Sequence, residues 1–148
     1  MRLIFTVALL VAWLLAGGLT YGATTERIGI VKSMAGEVAI SRNGRTIKAE
    51  PNLALYEGDV VQTGANGKAG LILADDTLIS MGFNSMIDLK GFQFQPSEKK
   101  LSLIARILHG TATFLSGQVA KLAPKKVRVE TPYATVGVRG THILIQVD

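Results

Sequence analysis

From residue 28 onward the apolar positions tend to alternate with polar ones, and short turn sequences interrupt them. This pattern predicts strands rather than helices. The clearest example is residues 37–42 and 45–48, which flank Asn43-Gly44. Asn and Gly both tolerate the positive φ angles of a two-residue type I′ turn, so this stretch is predicted to form a β-hairpin.

A second hairpin is predicted around Asp75-Asp76, which lies between the apolar stretches 68–74 and 77–82. Asp tolerates turn dihedrals and hydrogen-bonds to its own backbone, so we interpret the pair as a turn. The alternative interpretation is a pair of carboxylates that holds a cation or shares a proton.

The C-terminal third contains two further alternating runs. In residues 126–131, Val127 and Val129 are predicted to point inward, while the charged residues between them face solvent. Residues 141–147 are predicted to form the last strand, with Ile143, Ile145 and Val147 on one face.

Residues 97–108 fit both helical and strand spacing, and we interpret them as a strand because the flanking segments are strands. Gly110 then precedes a separate alternating run, residues 111–115, and a helical turn is predicted at 118–122. The fold class is therefore all-β, a sandwich or barrel-like domain of about a dozen short, mostly antiparallel strands.

Residues 1–22 have the features of a secretory signal helix: Met1-Arg2, an apolar run, and small residues toward the end. We predict cleavage after Gly22, with Gly18 as an alternative site. An uncleaved anchor in the inner membrane is the alternative, because the apolar run is at the short end of the length that spans a bilayer. The predicted organisation is a signal peptide at 1–22 and one periplasmic domain at 23–148.

Composition narrows the chemistry. The 148 residues contain no cysteine, which excludes a disulfide scaffold, a Cys-ligated metal and a Cys nucleophile. The two histidines, His109 and His142, are each isolated from a second ligand in the sequence. The sequence therefore predicts a protein that is not an enzyme and has no metal site, no catalytic residues and no cofactor.

The formal net charge is +5, and basic residues are concentrated at Lys121, Lys125, Lys126 and Arg128. This cluster is a candidate face for an anionic partner, and the alternative is a solvated strand face that keeps a basic protein soluble. Nucleic acid is not expected as a partner, because the protein is predicted to be exported and few aromatic residues are available for base stacking.

Arg139 lies among apolar neighbours near the end of residues 131–141. Because a buried Arg is normally paired, we predict an ion pair with a carboxylate such as Asp59 or Asp88. The alternative is an Arg that binds a ligand.

The segment Thr131-Pro-Tyr-Ala-Thr-Val-Gly-Val-Arg-Gly-Thr141 resembles the signature that ends FecR domains. Three earlier blocks, Gly36-Glu37-Val38, residues 55–64 and residues 67–79, resemble the family's earlier motifs in the same order. The resemblance extends over residues 28–147.

This resemblance implies an extracytoplasmic β domain without catalytic residues. In the best-known members, the iron dicitrate sensors, the domain receives a signal from an outer-membrane receptor and relays it to a cytoplasmic segment that controls a sigma factor. Here only Met1-Arg2 precedes the apolar run, so direct control of a sigma factor is not expected.

Together these features predict a non-enzymatic periplasmic binding or sensing module. The expected partner is an envelope protein, either an outer-membrane receptor or an inner-membrane signalling protein. The alternative is a binder of cell-wall glycan or another anionic polymer of the envelope.

Overall fold

The computed structural model describes residues 25–148, so the predicted signal peptide lies outside the described residues. This part of the chain contains twelve strands, one short α-helix and two 3₁₀ turns, which confirms the all-β prediction. The strands are β1 (Arg27–Ala35), β2 (Val38–Arg42), β3 (Arg45–Lys48), β4 (Ala54–Tyr56), β5 (Val60–Thr63), β6 (Lys68–Leu73), β7 (Leu78–Met81), β8 (Met86–Gln95), β9 (Lys100–Leu115), β10 (Val127–Glu130), β11 (Thr135–Gly137) and β12 (His142–Val147). The helix, α1, spans Gln118–Leu122, and the 3₁₀ turns span Pro96–Glu98 and Pro124–Lys126.

The strands form one curled sheet, a half-barrel, in which β9 pairs with four other strands. The first part of β9 pairs with β8 on one edge and β10 on the other, because Leu103, Ile104 and Arg106 have partners in both strands. The last part likewise pairs with β7 and β12 on opposite edges. All strand pairs are antiparallel except β9 with β10. The two halves of the sheet therefore meet at β9.

The hairpin of β2 and β3 forms as predicted. Asn43 and Gly44 have φ angles of 50° and 75°. A type I′ turn requires a positive φ at both central residues. The twist of this turn matches the right-handed twist of the flanking strands, which explains why two residues are enough to connect them.

β9 differs from the prediction, because residues 100–115 form one strand rather than two strands separated at Gly110. Gly110 has a φ of 88°, and a Cβ at this position would collide with the backbone and hydroxyl of Ser85. Glycine therefore allows an unusual backbone conformation within the strand without ending it. The prediction treated Gly110 as a boundary because periodicity cannot distinguish a break from a local distortion.

Asp75 lies in the turn between β6 and β7, and its fully buried carboxylate is hydrogen-bonded. It accepts bonds from Thr77 N at 3.1 Å, from Thr77 Oγ1 at 2.8 Å and from Val119 N at 3.0 Å. The last bond satisfies a free N–H at the start of α1. Asp75 thus ties α1 to the hairpin, and the turn interpretation of Asp75-Asp76 is confirmed. No helix in residues 25–148 is long and apolar enough to cross a membrane.

A two-point ion pair joins Arg42 on β2 to the buried Asp59. The guanidinium Nε and Nη2 each lie 2.8 Å from one carboxylate oxygen, and Tyr56 N donates a further bond at 2.9 Å. Arg42 Nη2 also donates to Ala54 O at 2.8 Å. Asp59 is only 1% exposed, so these hydrogen-bond donors replace the water that would otherwise stabilise its carboxylate. The hydrogen bond to Asp59 raises the pKa of Arg42.

The core is built from alternate positions of the strands. On β10, Val127 and Val129 are buried and the residue between them is exposed, as predicted. On β12, Val147 is buried, whereas Ile143 and Ile145 are half-buried. The last strand therefore contributes to the core but lies at its margin.

Replacement of Arg42 by Ala should lower the free energy of unfolding by about 3 kcal/mol, because it leaves the buried Asp59 carboxylate without its counter-ion. Urea unfolding measured by circular dichroism checks this value. Arg45→Ala is the matched control, since Arg45 is exposed on the same hairpin and should change the stability by less than about 0.5 kcal/mol. Equal effects of the two substitutions would contradict the assigned role of Arg42.

Candidate functional site

A groove of about 430 Å³ lies at the open end of the β10–β11 hairpin. Three cationic side chains line it: Lys125, Arg128 and Arg139. Val127 and Val138 also line it, although both are almost fully buried. None of the described residues that line the groove is acidic. We call this surface the basic groove. Its remaining lining residues are Pro124, Thr135 and Gly137.

The alternation of β10 accounts for the position of Arg128. Val127 and Val129 point into the core, so Arg128 projects from the opposite face and is exposed. Its cross-strand partner on β11 is Gly137, and a Cβ built at Gly137 would have no atom within 4 Å. A side chain at position 137 would therefore stand beside Arg128, and glycine leaves this space open.

Arg139 does not form the predicted ion pair. It is exposed, and within residues 25–148 it makes no salt bridge, while Asp59 pairs with Arg42. Asp88 instead lies near Arg106 and Lys90, whose charges act on it. The prediction took the apolar neighbours of Arg139 as a sign of burial. In the structure β11 ends at Gly137, Val138 is buried, and Arg139 directly after it is exposed.

The structure separates the other two predicted basic residues from the groove. Lys121 is in the last turn of α1, and Lys126 ends the second 3₁₀ turn; both are exposed. Neither lines the groove. The sequence cluster therefore divides into two residues that line the groove, Lys125 and Arg128, and two exposed residues that do not.

The only carboxylate between residues 121 and 139 is Glu130. It is two residues from Arg128 on β10, and its side-chain partners are Lys90 and Arg106 rather than a groove cation. Lys90 Nζ lies 2.9 Å from Glu130 Oε2, and Arg106 donates to the same oxygen through Nε at 3.1 Å and Nη2 at 3.0 Å. These hydrogen bonds lower the pKa of Glu130. Glu130 thus joins β10 to β8 and β9, and its charge is balanced by two cations outside the groove.

Asp88 on β8 belongs to the same charged cluster. It is directly opposite Arg106 in the β8–β9 pairing. Partial burial raises the pKa of Asp88, and the positive charges of Arg106 and Lys90 counteract this rise. The cluster consists of two carboxylates and two cations: Asp88, Glu130, Lys90 and Arg106. Its formal charges cancel, so it adds little to the electrostatic potential at the groove.

The two histidines lie outside the basic groove. His109 Nδ1 lies 2.7 Å from the carbonyl oxygen of Asn84, and His142 is exposed on β12. Within the described residues, no group of three or more His, Cys, Asp or Glu side chains could hold a metal ion.

Sequence reasoning missed Thr135, Gly137 and Val138 as groove residues. A turn predicted at residues 131–134 would have identified them, because this turn sets the register of the β10–β11 hairpin. Thr131 N donates to Ala134 O at 2.8 Å, and this places Gly137 opposite Arg128.

A model of the FecR protein family matches residues 59–148, which is more than half of the chain. The chain belongs to the FecR family. The match contains β5 to β12 and the whole basic groove, whereas the predicted motif Gly36-Glu37-Val38 precedes it. FecR proteins are envelope-associated, regulatory and non-enzymatic. No curated protein and no solved structure matches the chain.

Glu130→Gln should destabilise the FecR domain near neutral pH, because Gln forms weaker hydrogen bonds with Lys90 and Arg106 than the carboxylate does. The folded pKa of Glu130 lies below its ordinary value of 4.5. Its contribution to stability is therefore complete above that value and is lost as the pH falls through the folded pKa. Thermal melts of both proteins between neutral and acidic pH measure the difference.

The expected result is a difference in Tm that narrows as the medium is acidified. Glu98→Gln is the control, because the Glu98–Lys100 pair is exposed on both sides and should add little at any pH. A Tm difference for Glu130→Gln that does not vary with pH would contradict the assignment.

Proposed function

We propose that this FecR-family protein is a periplasmic binding and sensing module that engages an envelope protein through the basic groove. The supporting observation is the convergence of Lys125, Arg128 and Arg139 on one groove that has no acidic lining residue among those described. An arrangement of this kind attracts a negatively charged surface and accelerates its approach.

The groove suits a protein surface better than a small ligand. It is open, and its charged side chains are exposed rather than enclosed, whereas small-molecule sites usually bury most of their ligand. The partner class we propose is an outer-membrane receptor or an inner-membrane signalling protein with an acidic contact surface.

A triple variant, Lys125→Glu, Arg128→Glu and Arg139→Glu, tests this proposal. Cross-linking in intact cells followed by affinity capture should recover an envelope protein with the unaltered chain. Charge reversal should lower recovery by about tenfold or more, since like charges would then face each other across the interface. The matched control reverses Lys48, Arg27 and Arg45, which are the same residue types, exposed outside the groove. Equal recovery with both triple variants would refute the role of the groove.

The alternative partner is cell-wall glycan or another anionic polymer of the envelope. The observation that favours it is the exposure of two further cations close in sequence to the groove residues, Lys121 and Lys126, which adds to the positive charge of this part of the chain. A long polymer would contact this whole surface, whereas a folded partner would be centred on the groove.

Co-sedimentation with purified cell-wall material separates the two candidates. If the polymer is the ligand, binding should fall steeply with added salt. The double variant Lys121→Glu and Lys126→Glu should then lose binding as the groove variant does. If a protein is the ligand, capture of that protein should tolerate the double variant, and sedimentation should not depend on any of these residues.

A further inference from the structure

β12 is an edge strand whose outward backbone groups can be identified from two hydrogen bonds. Ser116 N donates to Thr141 O at 2.8 Å, next to the β9–β12 pairing. On the opposite edge of β9, Gly82 N donates to Thr111 O at 3.0 Å. The backbone carbonyl of Thr111 therefore points toward the β7 side and away from β12. Hydrogen-bonded and non-hydrogen-bonded pairs alternate along an antiparallel ladder. The backbone groups of Ile143, Ile145 and Val147 therefore form the hydrogen bonds to β9.

It follows that His142, Leu144 and Gln146 direct their N–H and C=O groups away from β9. Within residues 25–148, β12 pairs with no strand other than β9. The side chains of the same three residues are exposed, and Leu144 is 69% exposed. This edge therefore presents six backbone groups that are ready to bond to another strand.

The other edge strands of the described region are protected against such pairing, and β12 is not. β3 carries Arg45 and Lys48, and charged side chains on an edge discourage strand addition. β4 and β11 are only three residues long, which limits the number of bonds they can offer. β12 has six residues and contains no Lys, Arg, Asp, Glu, Pro or Gly.

We propose that β12 pairs antiparallel with β12 of a second copy of this chain, with Leu144 opposite Leu144 on a two-fold axis. In this register His142 of one copy lies opposite Gln146 of the other. The outward N–H and C=O groups of these three residues in each copy then all form hydrogen bonds with the other copy. The strand is self-complementary because these three residues are symmetric about Leu144. A two-fold interface requires this kind of self-complementarity.

The side chains also suit this pairing. On the inner face, Ile143 of one copy lies opposite Ile145 of the other, and both are only half-buried in the single chain. Pairing would extend the apolar core across the axis. Residues 142–147 contain no Lys, Arg, Asp or Glu, so the repulsion between two basic chains is small at this edge. The proposal uses none of the groove residues and does not depend on the proposed function.

Leu144→Lys tests the proposal, because it places two like charges opposite each other on the axis. Sedimentation equilibrium of the whole exported protein, at about 0.01 to 1 mM, should show a reversible dimer, as expected for a small interface. The substitution should raise the dimer dissociation constant at least tenfold. Leu122→Lys is the matched control, since Leu122 is also a well-exposed leucine, at 59%, and belongs to α1 rather than to β12. Circular dichroism of each variant verifies that the fold is retained.

Cysteine cross-linking gives an independent measurement, because the chain contains no cysteine. Leu144→Cys adds one thiol per chain, and directly opposite residues in a bonded antiparallel pair have Cα atoms about 5.5 Å apart, which suits a disulfide. Mild oxidation should cross-link this variant much faster than Leu122→Cys. A wild-type protein that is monomeric throughout the concentration range, a dimer that Leu144→Lys leaves unchanged, or equal cross-linking of the two cysteine variants would overturn the proposal.

Discussion

The continuous pairing of β9 is the constraint on which the rest of the domain depends. Its first part bonds to β8 and β10, and its last part bonds to β7 and β12. A strand of 16 residues can serve both parts only if its backbone changes conformation without ending. Gly110 permits this change through its positive φ. Both surfaces that we propose as functional lie on strands whose position β9 determines.

The charge pattern of the domain follows from how the strands are paired, rather than from the net charge. Glu130 is two residues from Arg128 along β10, yet its carboxylate bonds to Lys90 and Arg106 from two other strands. The groove cations consequently have no counter-ion among the residues that line the groove. Arg42 and Asp59 show the opposite arrangement, in which a buried carboxylate is fully neutralised and serves stability.

The two proposed surfaces are chemically different and share no residue. The basic groove is polar and charged, and suits recognition of an acidic partner. The edge of β12 is uncharged and regular, and suits main-chain pairing with a second copy. Because one surface is at the open end of the β10–β11 hairpin and the other is on β12, a dimer and a partner complex can be examined separately by substitution.

The sequence by itself determined the elements whose causes are local. Asn43-Gly44 specifies its hairpin through backbone conformation, Asp75-Asp76 specifies a turn, and the alternation around Val127 and Val129 specifies a strand with one buried face. Only the tertiary structure decided which distant residues meet. It joined Arg42 to Asp59, exposed Arg139 beside Arg128, and left one edge of β12 without a partner strand among residues 25–148. The physical reason is that turn preference and periodicity act between near neighbours, whereas ion pairing and strand register depend on contacts that form only when remote segments pack together.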